Sequence, residues 1–218
     1  MEKSTIILVA CLLFTFNTGC LEEFFKDEDE RKIIAGLSKD CINYDEKERC
    51  WLILIPENMD LAKENPLIID MHGIGGNMYL QHNLTRFANI SEEYGVYVAY
   101  PQGFNNEWNM ADDLCCGDDD DFGFILEMIK TITQKYPVDE TRIYPTGWSN
   151  GCGMTQRLAA HASEIFAAAA CSSMYFWEDP SPDYSPIPFM EIHGLVDELV
   201  HYPLSLIHIS EPTRHRGI

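Results

Sequence analysis

The chain has 218 residues, of which 46% are hydrophobic and 11% aromatic, enough for one sizeable hydrophobic core. Its formal charge is −20, from 35 acidic against 15 basic side chains. Such a charge repels phosphate backbones and anionic lipid surfaces, so the composition argues against nucleic-acid binding.

The first twenty residues are predicted to form a secretory signal peptide. Lys3 precedes an apolar run over residues 5–16, and the segment ends in Thr-Gly-Cys at Cys20. The run is short for a bilayer, so we expect no transmembrane span. Its end resembles a bacterial lipoprotein signal, which leaves two alternatives: lipidation of Cys20, or ordinary cleavage and release. Residues 21–36 would follow as an acidic tether.

Cysteine usage also favours export. Beyond Cys11 and Cys20 the chain has an even number of cysteines, namely Cys41, Cys50, Cys115, Cys116, Cys152 and Cys171. Cys41 and Cys50 flank a predicted hairpin turn at residues 45–48 and are the pair that we expect to be bridged. Zinc binding is the competing interpretation, although no CxxC or CxxH pair occurs. We therefore expect an extracellular or cell-surface protein with no metal or other cofactor.

Strands and helices are predicted to alternate along the rest of the chain. Apolar runs predict strands at residues 41–45, 49–56, 67–71, 96–100, 142–146, 167–171 and 188–193. A helix is predicted over residues 151–162, and another from Asp121 onward. The second would bury one face made of Phe122, Ile125, Leu126, Ile129 and Ile132. This alternation predicts an α/β fold, a mostly parallel sheet with helices on both faces.

The sequence after residue 203 does not continue this pattern. Residues 204–214 read Leu-Ser-Leu-Ile-His-Ile-Ser-Glu-Pro-Thr-Arg and resemble a translated transposase adapter from DNA sequencing libraries. We therefore interpret residues 204–218 as a non-native tail. The domain would then occupy residues 37–203 and be incomplete at its C-terminus.

Residues 147–151 read Gly-Trp-Ser-Asn-Gly, the GxSxG pattern, with a predicted strand before them and a predicted helix after. This context is what a nucleophile elbow requires, because a tight turn lifts the serine hydroxyl above the sheet and the glycines relieve crowding. Ser149 is therefore predicted to be a nucleophile. The alternative is a turn serine that only contacts the start of a helix.

A second glycine loop lies upstream. A predicted strand opens into His-Gly-Ile-Gly-Gly at residues 72–76, where backbone N–H groups can point at a developing oxyanion. We expect the N–H groups of Gly73 and Ile74 to act with that of Asn150, the residue after the nucleophile. A turn without a ligand is the alternative, and phosphate binding is disfavoured because the loop lacks GK[ST] and GxGxxG spacing.

A third loop follows the last predicted strand and carries Asp197. In hydrolases whose motifs follow this order along the chain, the acid that orients the general base comes after the nucleophile. It lies on a loop at the carboxyl end of a later strand. Asp197 is predicted to be that acid, with Glu198 as its rival. The alternative is a loop carboxylate that caps the next segment.

Together these motifs resemble the esterase family of feruloyl esterases, acetylxylan esterases and polyhydroxybutyrate depolymerase-like enzymes. The resemblance covers residues 41–202 and includes the segments at residues 100–103, 108–117, 120–124 and 138–144. It implies an α/β-hydrolase fold and a serine esterase that acts through an acyl-enzyme. The implied substrates are feruloyl or acetyl esters of plant polysaccharide, or polyhydroxyalkanoate.

The resemblance also implies the roles of single residues. Ser149 would carry the acyl group, Asp197 would orient the base, and the amides near Gly73, Ile74 and Asn150 would form the oxyanion hole. Cys152 departs from the family, which usually has Gly there, so the first helical turn would pack differently or carry a disulfide.

The general base is the more serious departure. The family's histidine lies well beyond the acid, whereas His201 is only four residues from Asp197 and His208 belongs to the tail. His193 is expected to hold the loop beside the acid. We expect the chain as written to be nearly inactive, and poorly soluble because an incomplete sheet exposes an apolar edge. A noncatalytic carbohydrate-binding protein or surface lipoprotein that retains the fold is the alternative.

Two further clusters leave alternatives open. Asp112, Asp113 and Asp118 to Asp121 could bind calcium, but a solvated acidic loop is favoured because EF-hand spacing is absent. Aromatic side chains could line a substrate cleft or pack in the core, and these are Trp108, Tyr175, Phe176 and Trp177.

Overall fold

The computed structural model describes residues 35–111, 116–175 and 179–201. The predicted signal peptide with Cys20, nearly all of the tether and the tail after residue 203 lie outside the described residues. The strands are β1 (Gly36–Tyr44), β2 (Lys47–Ile55), β3 (Asn65–Met71), β4 (Tyr97–Pro101), β5 (Val138–Trp148), β6 (Ala169–Ser172) and β7 (Phe189–Ile192). The helices are α1 (Met78–Thr85), α2 (Phe87–Tyr94), α3 (Asp121–Lys135) and α4 (Asn150–His161), with short 3₁₀ turns at Phe104–Asn106 and Ser163–Ile165.

One sheet contains all seven strands, in the order β1-β2-β4-β3-β5-β6-β7. The pairs β1–β2 and β2–β4 are antiparallel, and every pair from β4 to β7 is parallel. The predicted strands are all present, with bounds shifted by a few residues. The predicted α/β class with a mostly parallel sheet is therefore confirmed.

The hairpin between β1 and β2 turns on two residues only, Asp45 and Glu46, which both have positive φ, 50° and 61°. Two successive positive φ angles suit the right-handed twist of a two-residue hairpin. The turn sets the register so that Cys41 lies directly opposite Cys50, and the two form a disulfide. The predicted pairing of these cysteines is confirmed.

Helices cover both faces of the sheet, as the side chains of β4 show. Val98 and Tyr100 pack with Met78 of α1 and with Phe87 of α2. Tyr97 points the other way and its ring lies 5.7 Å from that of Tyr136, at the end of α3. Because successive side chains of a strand alternate between faces, α1 and α2 lie on one side and α3 on the other.

The buried face of α3 differs in part from the predicted one. Ile125, Ile129 and Ile132 are buried as expected. Phe122 and Leu126 are only half-buried, and the other buried apolar positions are Phe124 and Met128. The contact surface is therefore rotated toward the stripe at residues 124, 125, 128, 129 and 132, which leaves Phe122 at its margin, edge-on to His161.

The last strand in the described part of the sheet, β7, has an apolar and exposed outer side. Phe189 is 41% exposed, and Met190 and Ile192 are more so. A concavity of about 500 Å³ opens beside it, with Ile68 and Phe87 among its walls. Among the described helices, none has the length and apolar character needed to cross a bilayer.

Candidate active site

The parallel strands bring the predicted site residues to one edge of the sheet. The carboxyl ends of parallel strands lie side by side, so the loops that follow them are neighbours. Gly73 follows β3, Ser149 follows β5 and Asp197 follows β7. The fold therefore places the predicted nucleophile loop, which carries Ser149, between the glycine loop on one side and the predicted acid loop, which carries Asp197, on the other.

Ser149 lies at the turn between β5 and α4 in a strained conformation, with φ 53° and ψ −125°. A non-glycine residue at positive φ costs on the order of 1–3 kcal/mol and persists only where its surroundings hold it. Its N–H donates to Ser172 O at 2.8 Å, and its carbonyl accepts from Cys152 N at 2.8 Å. The backbone on both sides of the serine is thus fixed in the elbow geometry that the sequence predicted.

The two glycines of the pattern are required by close backbone contacts. A Cβ on Gly147 would lie 2.5 Å from Gly151 O. A Cβ on Gly151 would lie 2.6 Å from His72 O. Real Cβ atoms do not approach carbonyl oxygens so closely. Glycine is therefore required at both positions because α4 packs closely against the end of β3, and not because the turn has to be flexible.

Cys152 forms a disulfide with Cys171, so the departure from the family's glycine does carry a bridge. Cys152 is in the first turn of α4, and Cys171 is in β6, one residue before the Ser172 carbonyl that accepts from Ser149. Both cysteines are buried beside Met110 and Met174. The bridge therefore joins the two segments that hold the backbone of Ser149.

The glycine loop leaves backbone N–H groups available near Ser149. Gly75 N donates to Asn106 O at 2.7 Å and Gly76 N donates to Gly73 O at 2.9 Å. Within the described ranges, no backbone carbonyl accepts from the N–H of Gly73, Ile74 or Asn150. These are the three groups predicted to form an oxyanion hole.

The side chain of Asn150 has a second task that the sequence did not indicate. Its Nδ2 donates to Trp108 O at 2.9 Å, and its Oδ1 accepts from Trp108 N at 2.7 Å. Trp108 Nε1 in turn donates to His72 O at 2.8 Å.

Trp108 is fully buried, so it is a core residue and not part of an exposed cleft. Tyr175 is half-buried, and Phe176 and Trp177 lie outside the described residues.

His72 connects the loops after β3 and β4. Its Nδ1 donates to Gly73 O at 2.8 Å, and its Nε2 accepts from Gly103 N at 3.0 Å. Burial lowers the pKa of this imidazole, which agrees with a neutral ring that donates on one side and accepts on the other. His72 therefore positions the glycine loop, and both of its nitrogens are occupied. The sequence motifs indicated no role for His72.

The structure places Asp197 in a local turn. Its Oδ1 accepts from Leu199 N at 3.0 Å and from Val200 N at 2.9 Å. These backbone hydrogen bonds hold the pKa of Asp197 below its usual range. Its Oδ2 lies 3.7 Å from His193 Nε2, which is 2.6 Å from Val200 O. Asp197 thus caps the segment that follows it, as the alternative interpretation of this residue predicted. Its Oδ2 faces the imidazole of His193.

The acidic segment before α3 is held by the hairpin. Tyr44 OH donates to Asp120 at 2.6 Å, Lys47 pairs with Asp119, and Arg49 forms a buried ion pair with Asp121. The prediction of a solvated loop is therefore wrong for Asp121, because the fold supplies it with a cation. Asp112 and Asp113 lie outside the described residues.

One group of candidate metal ligands occurs among the described residues, formed by Cys41, Glu48 and Cys50. The disulfide between the two cysteines removes both thiolates, which are the form of cysteine that binds zinc.

Comparison with known proteins places these features in a family. The family model described as Esterase PHB depolymerase matches residues 50–200. A feruloyl esterase B of Piromyces equi is 29% identical over 160 residues, which is 69% of this chain and 30% of that protein. A bifunctional acetylxylan esterase/xylanase of Neocallimastix patriciarum is 26% identical over 153 residues, 69% of this chain and 22% of that protein. The chain thus spans less than a third of the length of these two relatives.

Solved structures agree on the fold. A thermostable esterase superposes with a TM-score of 0.67 at 21% identity, over 78% of this chain and 49% of its own. An acetyl xylan esterase from Aspergillus awamori gives a TM-score of 0.55 at 23% identity, over 68% of this chain and 55% of its own. The fold is the α/β-hydrolase fold that the sequence predicted.

Proposed function

The chain belongs to the Esterase PHB depolymerase family, and on that premise we propose that it is a serine carboxylic-ester hydrolase that acts through an acyl-enzyme at Ser149. The observation that carries the proposal is the strained serine at the carboxyl end of β5, beside backbone N–H groups that no backbone carbonyl of the described residues accepts from. Strain of this kind is retained where a reaction needs the side chain raised out of the sheet.

In the proposed reaction, Ser149 Oγ attacks the ester carbonyl and the alcohol leaves, after which water releases the acid from the serine. The N–H groups of Gly73, Ile74 and Asn150 stabilise the negative oxygen of each tetrahedral intermediate. The clasp between Asn150 and Trp108 and the two hydrogen bonds of His72 hold these donors in place.

We assign Asp197 to orient the general base. The described residues bring no histidine nitrogen within hydrogen-bonding distance of Ser149 Oγ, and His72 has both nitrogens engaged. We therefore propose that the base is a histidine outside the described residues, either in residues 202–218 or in codons that follow 203 in the gene.

The proposed substrates are feruloyl or acetyl esters of plant polysaccharide, with polyhydroxyalkanoate second. The names of the two relatives, a feruloyl esterase and an acetylxylan esterase/xylanase, support the first choice, and the family description supports the second. An extracellular location is supported by the disulfides Cys41–Cys50 and Cys152–Cys171. Lipidation at Cys20 and release after cleavage both remain proposals.

A noncatalytic protein with this fold is the weaker alternative. A binding protein gains nothing from a serine held at φ 53°, because the strain costs stability and adds no contact. The same conformation is useful to a nucleophile, which explains why we favour the enzyme.

The test compares two proteins. One is the 218-residue chain, and the other carries the codons that follow 203 in the source gene in place of residues 204–218. Each is assayed beside its Ser149→Ala variant. Hydrolysis of 4-nitrophenyl acetate, methyl ferulate and a 3-hydroxybutyrate oligomer is measured. In the active form, Ser149→Ala should lower kcat/KM by about a thousandfold or more. Unchanged hydrolysis in the variant would refute the proposal.

The same comparison locates the base. The longer product should hydrolyse esters at least about a thousandfold faster than the 218-residue chain if its added segment supplies the histidine. Equal rates would place the base within this chain, and His201→Ala and His208→Ala would then identify it.

A further inference from the structure

Trp148, the residue immediately before the nucleophile, presents an unusual amount of aromatic surface. Its side chain is 43% exposed, whereas Trp51 and Trp108 are buried completely or nearly so. It lies at the end of β5, at the same edge of the sheet as the glycine loop. An exposed indole beside a candidate nucleophile calls for an explanation, because large aromatic side chains are usually buried.

Hydrogen bonds that run into the core fix the position of this indole. Trp148 Nε1 donates to Gln81 Oε1 at 3.2 Å, and Gln81 Nε2 donates to Asp70 Oδ1 at 2.7 Å. Gln81 and Asp70 are both buried. Thr85 Oγ1 lies 2.6 Å from Asp70 Oδ2 and completes the set. The exposed ring is therefore anchored by a buried polar chain that joins β5 to α1 and β3.

The ring also packs against the glycine loop. A Cβ on Gly73 would lie 3.0 Å from both Cε2 and Cζ2 of Trp148. Such a contact is too tight for a larger residue, so Gly73 leaves room for the indole. Ile74, the next residue of the loop, is 57% exposed and adds apolar surface at the same place. The indole thus forms a wall next to the site where the ester carbonyl would bind.

The strand order decides which half of an ester this wall would face. The acid loop follows β7, which lies beyond β6 on one side of β5, and the glycine loop follows β3 on the other. The general base protonates the leaving alcohol, so the alcohol lies toward the acid loop. The acyl group then extends toward β3, the side on which the indole contacts Gly73.

We propose that Trp148 is a specificity-determining residue whose indole stacks on a planar aromatic acyl group, and that Gln81 and Asp70 are positioning residues that hold the ring. This inference rests on the proposed esterase function, since it assigns one wall of that site. A ring that is already fixed loses little conformational freedom when a ligand binds, which favours stacking over a mobile side chain.

The test measures binding in a Ser149→Ala background, so that the esters are bound but not hydrolysed during the titration. Calorimetric titration compares methyl cinnamate, with an aromatic acyl group, and phenyl acetate, with an aromatic alcohol. Adding Trp148→Ala should weaken methyl cinnamate binding about 3- to 10-fold and leave phenyl acetate within about 2-fold. Trp148→Phe, which keeps a ring, should retain most of the preference.

Gln81→Leu tests the positioning role. Loss of its acceptor should move the indole N–H resonance of Trp148, which reports that the hydrogen bond is gone. It should also reduce the preference for methyl cinnamate, which a merely structural role of Gln81 would leave unchanged. Equal weakening of both esters by Trp148→Ala, or weakening of phenyl acetate alone, would overturn the inference. Hydrolysis of either ester by the Ser149→Ala protein would instead refute the proposed function, and it is measured separately before the titrations.

Discussion

The nucleophile loop and the acid loop lie at the same edge of the sheet but are held in different ways. Ser149 is fixed by Ser172, and its neighbour Asn150 by Trp108, so these contacts join segments far apart in sequence. Asp197 is fixed by Leu199 and Val200, two and three residues away. In the same loop, Val196 and Leu199 are 89% and 93% exposed.

The difference shows where each geometry originates. A strained residue has to be held by surroundings that the local sequence does not supply, so Ser149 depends on tertiary packing. A carboxylate that caps its own turn needs only the next few N–H groups, so Asp197 keeps its position with little help. Substitutions in the two loops should therefore have very different effects on folding.

The largest contrast is expected between two glycines. Gly151→Ala should destabilise the protein by about 3 kcal/mol or more, because its Cβ would lie 2.6 Å from His72 O. Gly194→Ala in the acid loop should change stability by less than about 0.5 kcal/mol, since its nearest neighbours are 3.9 Å away. Urea unfolding of both variants measures the contrast, and similar losses would contradict it.

The next contrast concerns pH and the buried Asp70. Burial raises the pKa of this carboxyl to about 7, although hydrogen bonds from Thr85 and Gln81 oppose the shift. An unfolded carboxyl of this type ionises near pH 4, at about 3.9. Between those values the folded state retains a proton that the unfolded chain has lost, so this group's contribution to stability falls as pH rises from about 4 to 7.

Asp70→Asn should remove this fall in stability with rising pH, because an amide mimics the neutral acid. Its oxygen would accept from Gln81 and its nitrogen would donate to Thr85 Oγ1. We expect the variant to be more stable than the parent by roughly 2 kcal/mol or more at pH 8 and equal to it near pH 4. Chemical denaturation at several pH values tests this. A variant that is less stable at pH 8 would show that Asp70 is ionised and stabilising.

A smaller loss is expected at Asn150. Asn150→Ala leaves the buried N–H and C=O of Trp108 without partners, which should cost about 2 kcal/mol. Asn58 provides a matched control, since its amide also donates to a backbone carbonyl but at an exposed site. Asn58→Ala should therefore cost less than about 0.5 kcal/mol. Thermal melts of the two variants give the comparison.

The smallest effect should come from Asp197, and its pH dependence should be opposite to that of Asp70. Backbone N–H groups lower the pKa of Asp197, so its contribution is present above the unfolded pKa and is lost as pH falls through the folded value. Asp197→Asn should destabilise the protein slightly at pH 7 and have no effect near pH 2. A stabilising effect at pH 7 would exclude the capping role.

Much of the fold could be predicted because it depends on patterns within short stretches. The hairpin with its Cys41–Cys50 bridge, and the position of the turn that carries Ser149, are each indicated by a few consecutive residues. Helices α1 and α2 were not predicted, because apolar residues such as Leu80 and Leu84 are exposed and obscure the amphipathic period. The face of α3 was wrong at Phe122 and Leu126, since the neighbouring elements decide which side of a helix is buried.

The sequence by itself determined the class of fold, the turn that carries Ser149 and the loops from which its partners come, because strand, turn and helix preferences act over a few residues. Only the tertiary structure decided that His72 is a structural link, that Asn150 clasps Trp108, and that Asp70 and Gln81 hold an exposed Trp148. These contacts join residues 11 to 67 positions apart, and a local pattern contains no information about partners brought together by sheet order.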